Sequence, residues 1–560
     1  MGMNLGFAFL IVFFGICLKS YHCELTSVIQ TDKGPVRGEI IKTFRNNVEF
    51  SSFRGIRYGK PPIGHSRFMP PEEAEPWSEI FNATKEATPC PQMDPVFPAS
   101  YIGDEDCLNL NVYTPRKNFQ NLGSNLNAVM IWLHGGRYLS GYTNITYFGP
   151  DYLIENNVVV VVTNFRLGAL GHLALNLQNA SGNAALKDQR LAFRWVKKNI
   201  KLFGGDPNSV TIFGESTGGS AVDLHVLSDG SRGLFHRSIS MSASPLCDWA
   251  TATIPEMKIQ AFLLGKRLGI RTNDSQELLT ALYDTPAEDI IRATSVESNL
   301  RPFKPVIEDA DVAGASAFLT ECSIRKYTTG DFNRLPHMTG FMASEALLYF
   351  ESLPMLSIVA DDVSQQSALV MADIPADILV ILSNIMGGLP QTIITDRIHE
   401  LMAETITNIT DILYTSPIDT KQRLMQVFTP VYYYKISIAP EESYHKYRGV
   451  PMLSGAAHGD DVPYIWHTPI FPSLTDPDDS FVMTRNRLTR MWTNFAKFSD
   501  PTPLGTDDLL LNVTWPVSGP HGFHLEINHQ LTVGTRPIDS ITKKIQAAYS
   551  FNSERYSECT

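Results

Sequence analysis

Two kinds of hydrophobic spacing alternate through the middle of the chain. The run AVMIWLHGG (128–136) is almost continuously apolar and ends in glycines, and VVVVVTNF (158–165) is a stretch of β-branched residues. Both predict central strands covered on two faces. DQRLAFRWVKKNI (188–200) instead sets Leu191, Trp195, Val196 and Ile200 near helical spacing, and GGDPNSVTIFG (204–214) turns the chain back into a third strand. TGGSAVDLHVLSDG (217–230) reads as a helix, as do IPEMKIQAFLLGKRLGI (254–270) and ADILVILSNIMGG (376–388); RLPHMTGFM (334–342) and PVYYYKISI (430–438) read as two more strands. Strands alternating with helices predict an α/β fold around a mostly parallel sheet, enlarged by helical insertions.

Between the third strand and its helix stands FGESTGGS (213–220), which sets Ser216 between Gly214 and Gly218. A Gly-x-Ser-x-Gly turn at a strand-to-helix junction pushes the serine hydroxyl out at the top of a sheet, and the helix that follows aims its amides at whatever the serine attacks. Glu345 and His458 each stand in a turn-like setting shortly after the last two strands. Serine, acid, histidine is the chain order of α/β hydrolases. Taken singly, Ser216 reads as a helix cap, Glu345 as a solvated helix residue and His458 as a core histidine.

Length and composition narrow the class. The chain has 560 residues, 43% apolar and 19% charged, with no low-complexity tract or internal repeat, as in one large globular domain. Its net charge of −12 repels phosphate backbones and anionic bilayers, which argues against nucleic acid as a partner. Residues 1–23 hold an apolar run of about a dozen residues that predicts a signal peptide, although no Lys or Arg precedes it. The domain is expected over 24–550, followed by a tail at 551–560 with neither a lipid-anchor signal nor a membrane span. Secretion agrees with six sequons, at Asn82, Asn144, Asn179, Asn273, Asn408 and Asn512. Cys90 and Cys107 flank a Pro-rich, turn-like stretch. A bridge between them contributes about 3 kcal/mol in an oxidising compartment. Cys247, Cys322 and Cys559 form an odd set, which predicts a free thiol or an intermolecular bond; the chain is expected to be a monomer or a homodimer, with linkage through Cys559 as one route.

The chain resembles the type-B carboxylesterase and cholinesterase family over nearly all its length. The likeness rests on FRGIRYGKPPIGHSRF (53–68), DEDCLNLNVYTP (104–115), IWLHGG (131–136), VVTNFRLGALGHL (161–173), the segment 188–216, GLFHRSISMS (233–242), HMTGFMASEALL (337–348), GAAHGDDVPY (455–464) and MWTNFAKFSDPTP (491–503), all in order. The resemblance implies an α/β-hydrolase fold with Ser216 as nucleophile, His458 as general base and then acid, and Glu345 as the carboxylate that orients the imidazole. It also implies an oxyanion hole built from the backbone N–H groups of Gly136, Arg137 and Thr217, and a first bridge between Cys90 and Cys107. No metal and no cofactor are implied, and the partner is a small-molecule ester.

Several positions depart from the family pattern. Arg137 replaces a small residue and Thr217 an alanine, adding bulk beside the acyl oxygen; both side chains are expected to turn away. Ala185 and Ala243 stand where glycines are usual. Cys247 matches the first cysteine of a second bridge, for which only Cys322 or Cys559 remain as partners. The segment PVFPASYIGDED (95–106) lacks the tryptophan expected of a choline esterase, and a juvenile-hormone-type esterase more usually carries Gln where Glu215 stands. The leading reading is a secreted serine carboxylesterase of unnamed substrate. The competing one is a slow or inactive ester-binding or adhesion protein on the same scaffold.

Overall fold

The computed structural model describes residues 24–295, 303–350, 403–439 and 454–538, apart from 96, 98, 121, 470, 472–473 and 506–508, together with 542, 543 and 546. The segments 1–23 and 551–560, expected to be a signal peptide and a tail, the helix expected at 376–388, and Cys17, Cys23 and Cys559 lie outside these residues.

One large sheet carries the fold. In chain order its strands are β1 (Glu24–Leu25), β2 (Glu39–Lys42), β3 (Glu49–Arg57), β4 (Asn109–Thr114), β5 (Asn127–Leu133), β6 (Val159–Thr163), β7 (Gly205–Glu215), β8 (Arg237–Met241), β9 (His337–Met342), β10 (Val431–Ile436), β11 (Phe523–Ile527) and β12 (Leu531–Thr535). In space they run β1-β2-β3-β4-β6-β5-β7-β8-β9-β10-β11-β12. The stretch from β6 to β11 is parallel throughout, and the strands at either end join antiparallel. The architecture is that of an α/β hydrolase.

The apolar runs form central strands because both of their faces are covered. Val129, Ile131 and Leu133 pack with Leu191, Phe193 and Val196 of helix α1 (Ala184–Asn199) and with Val222 and Leu224 of helix α2 (Thr217–Leu227). Met130 and Trp132, pointing the other way, pack with Leu488, Met491, Trp492 and Phe495 of helix α3 (Ser480–Phe498). Neighbouring residues of one strand thus feed two separate cores, as the two-residue period of a strand requires.

The elements differ from the sequence reading mainly at their ends. The strand expected to 136 stops at Leu133, freeing His134 to Gly136 for a loop. α1 begins at Ala184, because Asn183 with φ 59° supplies the left-handed turn that starts it. Ala185 and Ala243 are fully buried, and a Cβ added at Gly171 or Gly219 would come within 3.0 Å of their methyl groups. The closer contacts at both glycines are backbone, Arg166 O at 2.5 Å for Gly171 and Met241 O at 2.7 Å for Gly219, so the alanine methyls fill space the glycines already leave.

Cys90 and Cys107 are bridged. The pairing considered for Cys247 needs correction: Cys247 is a buried free thiol and Cys322 is disulfide-bonded. Burial pushes the Cys247 thiol well up, which disfavours the thiolate. Of the sequon asparagines, Asn82, Asn179, Asn273 and Asn512 are exposed, and Asn144 and Asn408 are half-buried. Among the described residues, no helix is long and apolar enough to cross a membrane.

Candidate active site

Ser216 sits on the tight turn between β7 and α2, with φ 57° and ψ −129°, a strained conformation for a residue with a side chain. The flanking glycines are demanded by close packing. A Cβ at Gly214 would lie 2.6 Å from the Leu133 carbonyl oxygen, and one at Gly218 would overlap the same atom. The turn can form only where β5 passes directly beneath it, and Ser216 N–H donates to Met241 O (3.0 Å) to tie it to β8.

The acid and the histidine arrive from the crossovers after β9 and β10. Glu345 opens a short 3₁₀ turn after β9, is fully buried, and accepts from Met342 N–H at 2.8 Å through Oε1. Its Oε2 lies 2.6 Å from Nδ1 of His458. That contact fixes the ring and leaves Nε2 on its far side. The His458 ring also rests against Tyr414, with centroids 5.0 Å apart. Ser216 and His458 line one cavity of about 310 Å³, together with Gly135, Gly136, Arg137, Glu215 and the aromatic side chains Trp132, Tyr142, Tyr147 and Phe148.

Glu215 is a second carboxylate at the same ring. Its Oε1 lies 3.1 Å from His458 Nε2, close enough for a charge contact but without the alignment of a hydrogen bond. Burial would lower the histidine, but the charges of Glu215 and Glu345 and the Glu345 hydrogen bond outweigh it and raise His458 to about 9. Burial raises Glu215 to about 7, against the pull of His458. Asp461 is fully buried nearby, with no hydrogen bond to either side-chain oxygen; burial and the charges of Glu215 and Glu345 push it well above the usual carboxylate range. Sequence reasoning used Glu215 only as a contrast between specificities and did not single out Asp461 or Tyr414. Glu215 precedes Ser216 directly and Asp461 stands three positions after His458, so proximity in sequence was the available signal.

The loop after β5 takes a left-handed path at three successive residues, Gly136 (φ 115°), Arg137 (φ 60°) and Tyr138 (φ 62°). Thr217 is buried, and its Oγ1 accepts from Tyr138 N–H at 3.4 Å, so its side chain faces the loop. Arg137 is exposed at the cavity wall.

The fold and this cavity have known counterparts. The chain belongs to the carboxylesterase family, whose model matches residues 25–548. It is similar to the juvenile hormone esterase of Tribolium castaneum, 31% identical over 505 residues that cover 85% of this chain and 84% of that one. It is also similar to esterase E4 of Myzus persicae, 38% identical over 315 residues, 56% of each chain. Among solved structures, the juvenile hormone esterase of Manduca sexta, crystallised with OTFP covalently attached, superposes with a TM-score of 0.78 at 26% identity, covering 94% of this chain and 99% of that one. The protein is a carboxylic ester hydrolase with the α/β-hydrolase fold.

Proposed function

We propose that the protein is a secreted serine carboxylesterase that works through an acyl-enzyme on Ser216. The observation that carries this reading is the 2.6 Å contact from Glu345 to His458, whose ring lines the same cavity as Ser216. A serine hydroxyl becomes a nucleophile only when a base removes its proton. In the first half-reaction His458 Nε2 takes the proton of Ser216 as Oγ bonds to the ester carbonyl carbon. The imidazolium then gives that proton to the departing alkoxide as the C–O bond breaks. In the second half-reaction a water loses its proton to Nε2, attacks the acyl carbon and releases the acid as Oγ is reprotonated. The backbone N–H groups of Gly136, Arg137 and Thr217 receive the developing oxyanion, and each such donor is worth roughly 3 kcal/mol of transition-state stabilisation.

The aromatic wall of Trp132, Tyr142, Tyr147 and Phe148 favours an apolar ester. Secretion is supported by the leader pattern at 1–23, the Cys90–Cys107 bridge and four exposed sequon asparagines. Acid quenching during turnover of an activated ester, followed by peptide mapping, tests the mechanism: the acyl mass is expected on the peptide that contains Ser216. Turnover with the adduct on another residue, or with none trapped even when deacylation is slowed by a bulky acyl group, would contradict it.

A further inference from the structure

The loop that supplies two of the proposed oxyanion donors is gripped by a side chain 49 positions earlier in the chain. Gln92 is fully buried in a short strand, Gln92–Met93, inside the segment that the Cys90–Cys107 bridge closes. Its amide meets both backbone groups of Gly141: Oε1 accepts from Gly141 N–H at 2.7 Å, and Nε2 donates to Gly141 O at 3.0 Å. The second proton of Nε2 goes to Cys90 O, also at 3.0 Å, so both protons of the amide nitrogen are used and the side chain has one orientation.

Gly141 closes the loop that begins at His134. Its φ is 127°, and a Cβ there would overlap the His134 ring and stand 2.9 Å from Gly135 O. Between these ends, Leu139 and Ser140 both donate to Gly136 O, at 2.9 and 3.0 Å. The Gly136 carbonyl is thereby turned into the loop. The far edge of the loop is tied down separately, by Gly168 N–H on Tyr138 O at 2.7 Å and by Tyr138 N–H on Thr217 Oγ1. Gln92 is the side chain that fixes the near edge.

We infer that Gln92 is a positioning residue for the oxyanion hole, and that the disulfide-closed segment serves catalysis by holding this amide against Gly141. This rests on the acyl-enzyme reading above. Donors aimed at a transition state lose effect steeply when they shift, so loosening the loop acts on kcat and leaves ground-state binding nearly intact.

The test compares Gln92→Glu, which keeps the shape but sets a carboxylate against the carbonyls of Cys90 and Gly141, with Gln92→Met, which keeps the length and removes both bonds. Rates are expressed per serine labelled by a fluorophosphonate, so any unfolded fraction drops out. For both variants we expect kcat to fall roughly tenfold or more, with KM changed less than about threefold. Affinity for a trifluoromethyl ketone, whose adduct carries an oxyanion, should fall in parallel with kcat/KM. Unchanged kcat and ketone affinity in variants that melt earlier would overturn the inference and leave Gln92 a structural residue. A rise in KM alone would also overturn it. Wild-type protein that hydrolyses esters yet is not labelled at Ser216 would remove the reading on which the inference rests, an outcome distinct from both.

Discussion

His458 Nε2 lies 3.1 Å from a carboxylate oxygen of Glu215, the residue immediately before Ser216, while Nδ1 of the same ring is held by Glu345. The imidazole is therefore flanked by two acids, one on each nitrogen. Glu345 orients the ring; Glu215 adds negative charge beside its other nitrogen. Both acids favour the protonated ring, which is why His458 is raised to about 9 despite its burial.

A pH dependence follows directly. In the proposed mechanism His458 acts as base only when neutral, so with the ring raised to about 9 the active fraction grows as pH rises through that value, and kcat/KM is expected to keep increasing above pH 8. Glu215→Gln removes the largest of the three charges that raise the ring, those of Glu215, Glu345 and Asp461, so the ascending limb should move to lower pH, while Glu345 still holds Nδ1. A pH–rate profile of the two proteins checks this. A limb that stays in place in the variant would show that Glu215 does not govern the histidine.

Arg137 adopts φ 60° at the cavity wall. Glycine takes that conformation without steric cost. The proposed oxyanion donor at this position is a backbone N–H, which Arg137→Gly retains. Its kcat/KM on neutral short-chain esters should therefore change by less than about threefold, or ~0.6 kcal/mol. Kinetics on a series of acyl lengths checks this, and a tenfold gain confined to bulky acyl groups would show that the guanidinium narrows the site.

The Cys90–Cys107 bridge closes a short loop, with a sequence separation of 17. Loop-closure entropy for this length predicts a loss of about 3 kcal/mol when both cysteines become serine. Thermal or denaturant unfolding of the double variant under non-reducing conditions measures it. An unchanged midpoint would mean that the segment is held by its other contacts, among them the Gln92 amide.

Much of the fold was legible because it is written in local periodicity. Val129, Ile131 and Leu133 face one core and Met130 and Trp132 the other, and a short β-branched, apolar run that ends in glycines fits a strand covered on both sides. The turn at Ser216 was legible for a different reason, since Gly214 and Gly218 are required where β5 passes beneath them. Contacts made by single side chains over long separations were not. Nothing near Gln92 in sequence points to Gly141, and nothing near Thr217 points to the Tyr138 amide. The buried pair Lys421 and Asp223, with Nζ and Oδ2 2.6 Å apart, is 198 positions apart in the chain and left no pattern at either residue. Cys322 and Cys247 were ambiguous for the same reason, because spacing alone does not choose among several cysteines.

The proposal that Ser216 is the nucleophile served by His458 and Glu345 is tested by intact-mass measurement after exposure to a fluorophosphonate. One adduct per chain is expected, mapped to Ser216, with hydrolysis of p-nitrophenyl esters lost in step with labelling, and neither adduct nor hydrolysis in folded Ser216→Ala. A folded wild-type chain that stays unlabelled, or a Ser216→Ala variant that still hydrolyses esters, would contradict it.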